Sequence, residues 1–238
     1  MATYVGGGRA VDAGRGWDWI ASGWELFKKQ AGMWIALVLV ALVIFFVLAL
    51  IPVVGSLATF VLQPVFAAGV LLGSREVDEG RELEISHLFA GFKQKFAQLL
   101  TVGAIYLGAA IAIALVVGLA TGASIFAVMS GAGAPATPAA ALTVLLALLI
   151  MLALLLPVIM AVWFAPALVL FHDKNAVDAM KESFSGCLRN IVPFLVYSIV
   201  MLVFSLIASI PLLLGWLVLG PMLCTSYYTS YKDIYLTA

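Results

Sequence analysis

The sequence predicts an all-α protein: a polytopic membrane helix bundle of six transmembrane helices arranged as three hairpins, each preceded by a cytoplasmic interfacial amphipathic helix. Three observations predict it. The 12 basic and 12 acidic side chains fall into clusters at 9–29, 75–95 and 173–189, plus Lys232 and Asp233. Between the clusters lie charge-free tracts of 45, 77 and 42 residues. A helix crosses the hydrocarbon core in about 20 residues, so each shorter tract holds two spans and a turn. Finally, 65% of residues are hydrophobic, 10% are charged and the mean hydropathy is +1.18, whereas soluble domains carry about 25% charged residues.

Two crossings return the chain to the side it left, so every charge lies on one face of the membrane. Basic residues near span ends mark the cytoplasmic side, which puts both termini in the cytoplasm of a bacterial inner membrane. Residues 1–13 read as a flexible cytoplasmic N-terminus and 14–235 as a single integral membrane domain. The first apolar tract starts near Met33, behind a polar segment, and reads as an uncleaved span rather than a signal peptide.

The first tract divides at Pro52 and Gly55 into spans near 33–51 and 57–73, and the third at Pro211 and Gly215 into spans near 192–210 and 216–230. The middle tract divides in the Gly- and Pro-rich segment 131–138, leaving halves near 97–129 and 139–171 that exceed one bilayer thickness. A third crossing there would export Lys174, Lys181 and Arg189, against the orientation bias.

A segment of helical periodicity precedes each hairpin. Its apolar positions are Trp17, Ile20, Trp24, Phe27 and Ala31 in the first, and Ile85, Leu88, Phe92, Phe96 and Leu99 in the second. The third has Val177, Met180, Phe184, Cys187 or Leu188, and Ile191, with Asn175 as its N-cap. The indoles of Trp17 and Trp24 suit an interface that accepts both an apolar ring and a polar N–H. An offset of 160 residues aligns Asp18 with Asp178, Trp24 with Phe184, Lys29 with Arg189 and Gly55 with Gly215. Repeat-like units near 14–75, 83–172 and 175–235 account for that match, against chance similarity among apolar helices.

Chemistry inside a bilayer relies on costly ionisable side chains, and the six spans contain none. There is no GxSxG, P-loop or dinucleotide fingerprint. His87 and His172 lack metal-ligand spacing, and Cys187 and Cys224 read as free thiols. No enzyme, cofactor or metal is expected, and the balanced charge gives nucleic acid no footprint. Gly69 with Gly73, Gly118 with Gly122, and the stripe Ala104, Gly108 and Ala112 allow close helix approach.

Pro64, Pro157, Pro166 and Pro221 lie in returning spans, where each removes a backbone donor. Kinks there surround a cavity whose candidate lining is Gln63, Tyr106, Tyr197 and Ser198. The candidate interface-anchoring residues are Trp17, Trp24, Asp178, Arg189 and Asn190. Arg189 is expected to pair with Asp178, another acid or a lipid phosphate, and Asn190 to bond backbone groups at the helix-to-span corner.

Phe164-Ala165-Pro166-Ala167-Leu168, His172, the run Ala179 to Phe184, Cys187-Leu188-Arg189-Asn190, Pro193-Phe194 and the ending Tyr228, Ser230, Tyr231, Asp233, Ile234 carry a family likeness, joined by Leu88, Phe89, Gly91 and Phe92. Over 16–234 the chain resembles a family of uncharacterised proteobacterial multi-span inner-membrane proteins and, more distantly, the YciC-like inner-membrane proteins. The resemblance implies an inner-membrane location and a multi-span helical fold, with no established activity, cofactor or catalytic residue.

Two functions fit. One is a non-enzymatic protein working through contacts with membrane lipids, a membrane-protein partner or a second copy of the chain. The other is a channel or transporter for a neutral or amphipathic solute.

Reporter fusions after Lys29, Lys95, Arg189 and the C-terminus are expected to report cytoplasm, and fusions at Gly55, Ala134 and Gly215 the far side. A cytoplasmic signal at Ala134 would refute the six-span topology.

Overall fold

A computed structural model describes residues 3–129 and 138–237; the turn expected at 131–138 therefore lies, except for Pro138, outside the described residues. Within them the protein is built of helices joined by short turns, with one two-stranded pairing at the chain ends. Five segments are long and apolar enough to cross a membrane: Ala31–Ala49, Val54–Asp78, Phe96–Leu119, Val144–His172 and Ile191–Ser209. This is an integral membrane protein.

In chain order, β1 (Thr3–Tyr4) leads to α1 (Arg15–Lys29), then α2 (Ala31–Ala49) and α3 (Val54–Asp78). A 3₁₀ turn (Ile85–Phe89) and the single-turn α4 (Ala90–Lys93) precede α5 (Phe96–Met129) and α6 (Pro138–Trp163). After them come α7 (Ala165–His172), α8 (Ala176–Arg189), α9 (Ile191–Ser209), α10 (Trp216–Tyr235) and β2 (Leu236–Thr237). The apolar first half of α10 gives way to a hydroxyl-rich second half from Thr225 onward, so this helix is not among the five apolar segments.

The segment expected to be a flexible N-terminus is tied down. β1 pairs antiparallel with β2, Thr3 opposite Thr237 and Tyr4 opposite Leu236. Val5 N–H then donates to the Tyr235 carbonyl and Arg9 N–H to the Ile234 carbonyl. Gly8 turns the chain at φ +68°, and a Cβ there would lie 2.8 Å from an Ile234 methyl. Only glycine meets both conditions.

α1 seats against α9 and α10, the last hairpin of the chain. Its buried face is Gly16, Trp19, Ile20, Gly23, Leu26 and Phe27. This differs from the expected face: Trp17 and Trp24 lie at its edge, 51% and 38% exposed. Glycines decide the rotation. A Cβ on Gly16 would stand 2.2 Å from the Pro193 carbonyl oxygen, and one on Gly23 would stand 2.7 Å from the Ser226 nitrogen. Thr225 and Thr229 hydroxyls donate to the Gly23 and Trp19 carbonyls, each at 2.8 Å.

The other connecting segments also lie on returning helices. The 3₁₀ turn and α4 lie on α3, where Cβ atoms on Gly69 and Gly91 would meet the Leu88 and Val65 carbonyl oxygens at 2.4 and 2.2 Å. Instead of the expected continuous helix, the chain breaks before α5, with Lys95 at φ 58°. α8 is continuous, and Asn175 caps it by accepting from Asp178 N–H at 2.9 Å.

α8 packs on α6 and α7, whose junction is interrupted one residue before Ala165. There the Ser183 hydroxyl enters the helix ladder, accepting from Phe164 N–H at 2.8 Å and donating to the Met160 carbonyl at 2.7 Å. An inserted side chain ahead of Pro166 is a sufficient cause for the break.

Close approach in the middle tract uses Gly103, whose Cβ would lie 2.1 Å from the Val61 carbonyl oxygen. Among the described residues nothing lies within 4 Å of a Cβ on Gly108, Gly118 or Gly122, so these expected packing positions meet no described neighbour. Thr59, Ser74, Thr101, Ser205 and Ser209 bond back to carbonyls four residues earlier, satisfying their hydroxyls within their own helices.

Gly23→Ala is expected to lower stability in detergent by about 1–3 kcal/mol, because the new methyl must displace the α10 backbone. Gly108→Ala, in open space, serves as the control; equal melting temperatures for the two variants would show that α1 is not seated by this contact.

Candidate functional site

The site has two layers: a polar network at the charged end of the bundle and an uncharged cleft beneath it. The network centres on Asp233, whose side chain is 6% exposed. Oδ1 accepts from Nη2 of Arg9 and of Arg15, and Oδ2 from Arg15 Nε and Trp19 Nε1, each at 2.8 Å. Burial by itself raises the Asp233 pKa, but the Arg15 and Trp19 hydrogen bonds, the Arg15 charge and the Arg9 bond outweigh it and hold the carboxyl below its ordinary value.

Glu182 on α8 makes a second anchor. Its carboxylate accepts from the Tyr4 hydroxyl, from Gly7 N–H at 2.8 Å and from Lys174. Its pKa is likewise lowered, burial being overcome by the Lys174, Tyr4 and Gly7 contacts. Tyr4 stacks on His172 at 3.8 Å between ring centroids, and His172 Nε2 lies 2.6 Å from the Tyr231 hydroxyl.

Asn190, fully buried, accepts from Val11 N–H and donates to the Arg9 and Gly186 carbonyls, each at 2.8 Å. Backbone groups are its partners, as expected, but two of the three belong to the N-terminal segment. Arg189 donates to the Gly8 carbonyl at 2.8 Å, and among the described residues it pairs with no acid. Asp178 is engaged locally with Asn175. The expected Arg189–Asp178 pair therefore does not form; Arg189 reaches the N-terminal segment instead.

Trp17 and Trp24 line an apolar groove of about 560 Å³ with Phe204, Ile207, Pro211 and Met222. The groove lies along α1, α9 and α10, so both indoles stand on the apolar side of α1.

The cleft lies between α3, α5, α6, α9 and α10. Gln63, Tyr106 and Tyr197 line its inner lobe of about 450 Å³, with Pro64, Trp163, Pro166 and Tyr227. Ser198 lines a neighbouring lobe of about 310 Å³ between α6 and α9. Ile159, Trp163 and Tyr197 line both lobes, so the two are neighbours. Among the described residues no charged side chain lines either lobe. Tyr197 donates or accepts with Ser226 at 2.9 Å, and the Tyr227 hydroxyl bonds the Trp163 carbonyl. Pro64 and Pro166 line the cleft, whereas Pro157 and Pro221 do not.

Sequence reasoning missed Trp19, Asp233, Glu182, Ser183 and Trp163. The partners of these residues lie in other elements of the chain, 19 positions away for Ser183 and Phe164 and 224 for Asp233 and Arg9. A buried acid near the C-terminus left no periodic signal, although the spacing of Gly16 and Gly23 around Trp19 marks the seated face of α1.

Residues 19–232 match the family described as a domain of unknown function (DUF7847). The chain belongs to that family. A relative from Burkholderia thailandensis, named as a probable inner membrane protein, is 28% identical over an alignment of 256 positions that takes in 94% of this chain and 92% of the relative. No solved structure matches the chain.

The two lowered carboxyl pKa values set the sign of the acid response. Their stabilisation is complete above the unfolded values of about 4 and is lost as pH falls through the folded ones. The share of the detergent melting temperature that these two carboxylates supply is expected to hold steady from pH 7 to about 5 and to decline below that. Asp233→Asn is expected to cost about 1.5–3 kcal/mol at pH 7 and to flatten part of that decline. An unchanged acid limb in the variant would remove Asp233 from this role.

Proposed function

We propose that this DUF7847 protein is a non-enzymatic, six-span protein of the bacterial inner membrane that works through contact with lipid, with α10 as the sixth span and both termini cytoplasmic. The observation that carries the reading is the uncharged cleft. Its outer lobe is bordered by Leu156, Ile191 and Leu195, all more than half exposed on helix faces turned to lipid. A groove edged this way opens sideways into the acyl-chain region, while the Asp233 and Glu182 networks close the charged end. The relative's name agrees with the inner-membrane location.

The docking of α1, the α4 segment and α8 on returning helices supports reading the three units as repeats, with α1 closing the circle on the last hairpin. In that arrangement the interfacial segments ring the cytoplasmic end, and Trp17 and Trp24 reach the acyl region beneath α1.

One observation favours the alternative of a pathway for a neutral or amphipathic solute: Gln63 and Tyr106 bring polar groups to the inner lobe. Passage requires a route to the far side as well as a lateral mouth, so the two readings separate by measurement.

The protein purified into nanodiscs is expected to retain lipid through native mass spectrometry and to melt at lower temperature after exhaustive delipidation. A lipid-free monomer of unchanged stability would overturn the lipid-contact reading. Proteoliposomes that accelerate the flux of a neutral solute would favour the transport reading instead.

A further inference from the structure

Charged side chains meet at a further cavity, away from the cleft and on the open side of the Asp233 network. It is a polar groove of about 440 Å³ between α1, α10, the end of α3 and the N-terminal segment. Arg15, Ser22 and Lys29 follow one another at intervals of seven residues, so they lie along one edge of α1 and form a wall of the groove.

Two guanidinium groups stand at one end. Arg9 and Arg15 each donate from Nη2 to the same oxygen, Asp233 Oδ1, at 2.8 Å, so they are no further apart than two hydrogen bonds. Both spend the edge formed by Nε and Nη2 on Asp233, Arg9 on its carbonyl and carboxylate, Arg15 on both carboxylate oxygens. The Nη1 ends remain. Among the described residues Arg9 Nη1 has no partner, and Arg15 Nη1 has only the half-exposed Asp18 at 3.3 Å. Two cations thus share one buried carboxylate while their own side chains are 43% exposed. A guanidinium pair fixed in this way is preorganised to grip an oxyanion with its free N–H groups.

Lys29 marks the other end. It is exposed and meets no acid among the described residues, since neighbouring Glu25 is taken by Lys28 at 2.9 Å. Lys232, in the wall between, is taken by Asp78. Lys29 lies ten residues beyond Trp19, whose indole shares Asp233 with Arg15, and that is about 15 Å along the helix axis. Side chains on a helix lean toward its N-terminus, which turns Lys29 back toward the guanidinium pair. The groove therefore has two positive poles, further apart than a single phosphate can bridge, with paired charges and the Ser22 hydroxyl between them.

We propose that this groove binds an anion carrying two phosphate-type groups, one held by Arg9 and Arg15 and the other by Lys29. A two-phosphate lipid headgroup and a soluble bisphosphate share that chemistry.

The test titrates the full chain in detergent, at constant ionic strength, with methylphosphonate and with alkane bisphosphonates of increasing chain length, followed by calorimetry. A bisphosphonate of intermediate length is expected to bind about tenfold tighter than methylphosphonate, because its second group engages without a second association cost. Lys29→Gln is expected to remove about threefold to tenfold of that advantage, leaving methylphosphonate affinity and melting temperature unchanged. Lys181→Gln, on α8, changes the net charge equally and is expected to bind as the parent does. Affinity independent of chain length, equal weakening by the two lysine variants, or equally tight binding of an alkane dicarboxylate would overturn the proposal. Nanodiscs then separate the sources: bisphosphonate binding suppressed by cardiolipin but not by phosphatidylcholine identifies the headgroup, and undiminished binding in both identifies a solute. Because the titration is made without lipid, this inference and the lipid-contact reading stand or fall separately.

Discussion

The arrangement depends on one buried carboxylate. Asp233 lies where the first and last helices meet, and taking its charge out of water is tolerable only if nearly every lone pair is matched. Arg15 supplies a two-pronged contact, Arg9 a second cation, and Trp19 an indole N–H from the centre of the α1 face. These donors come from the first 19 residues and the acceptor from the last six, so the interaction joins the two ends of the chain. It acts together with the glycines in fixing the rotation of α1. With Trp19 directed at Asp233, Gly16 and Gly23 face the α9 and α10 backbones, and Trp17 and Trp24 are left on the apolar edge.

Much of the fold is legible in the sequence because a bilayer imposes a coarse rule. Charge-free length gives spans, and Pro with Gly gives turns, so the helices α2, α3, α5, α6 and α9 fall where the apolar tracts place them. Asn175 is legible for a local reason, since capping needs only the residues of the first turn. The second connecting segment is not. Its apolar spacing fits a helix, yet close packing on α3 at Gly69 and Gly91 and the left-handed Lys95 divide it. Periodicity measures which residues share a face, not whether the backbone has room to continue.

The cleft was partly legible as well. Gln63, Tyr106 and Tyr197 are among the polar side chains of mostly apolar helices, and in the fold they line one lobe. What the pattern does not separate is which of them the protein satisfies itself. Tyr197 is matched by Ser226 across α9 and α10 and so belongs to the wall, whereas Gln63 and Tyr106 have no such partner among the described residues. Trp163 escapes the sequence reading altogether. A tryptophan in an apolar run reads as bulk, and its unpaired N–H becomes visible only once neighbouring side chains have been placed.

Two adjacent residues of α8 connect the layers. Glu182 fastens the N-terminal segment through Tyr4 and Gly7, while Ser183 holds the interruption between α6 and α7 by bridging Phe164 N–H and the Met160 carbonyl. Trp163 occupies the position just before that interruption, so the same hydroxyl that replaces a lost helix bond also fixes the place of the indole in the cleft wall. Neighbouring positions on a helix point about 100° apart, which is why one short segment can serve the charged end and the membrane interior together. The polar network and the cleft are therefore not independent features that happen to share a bundle. Displacing α8 would loosen the N-terminal segment on one side and the wall of the cleft on the other.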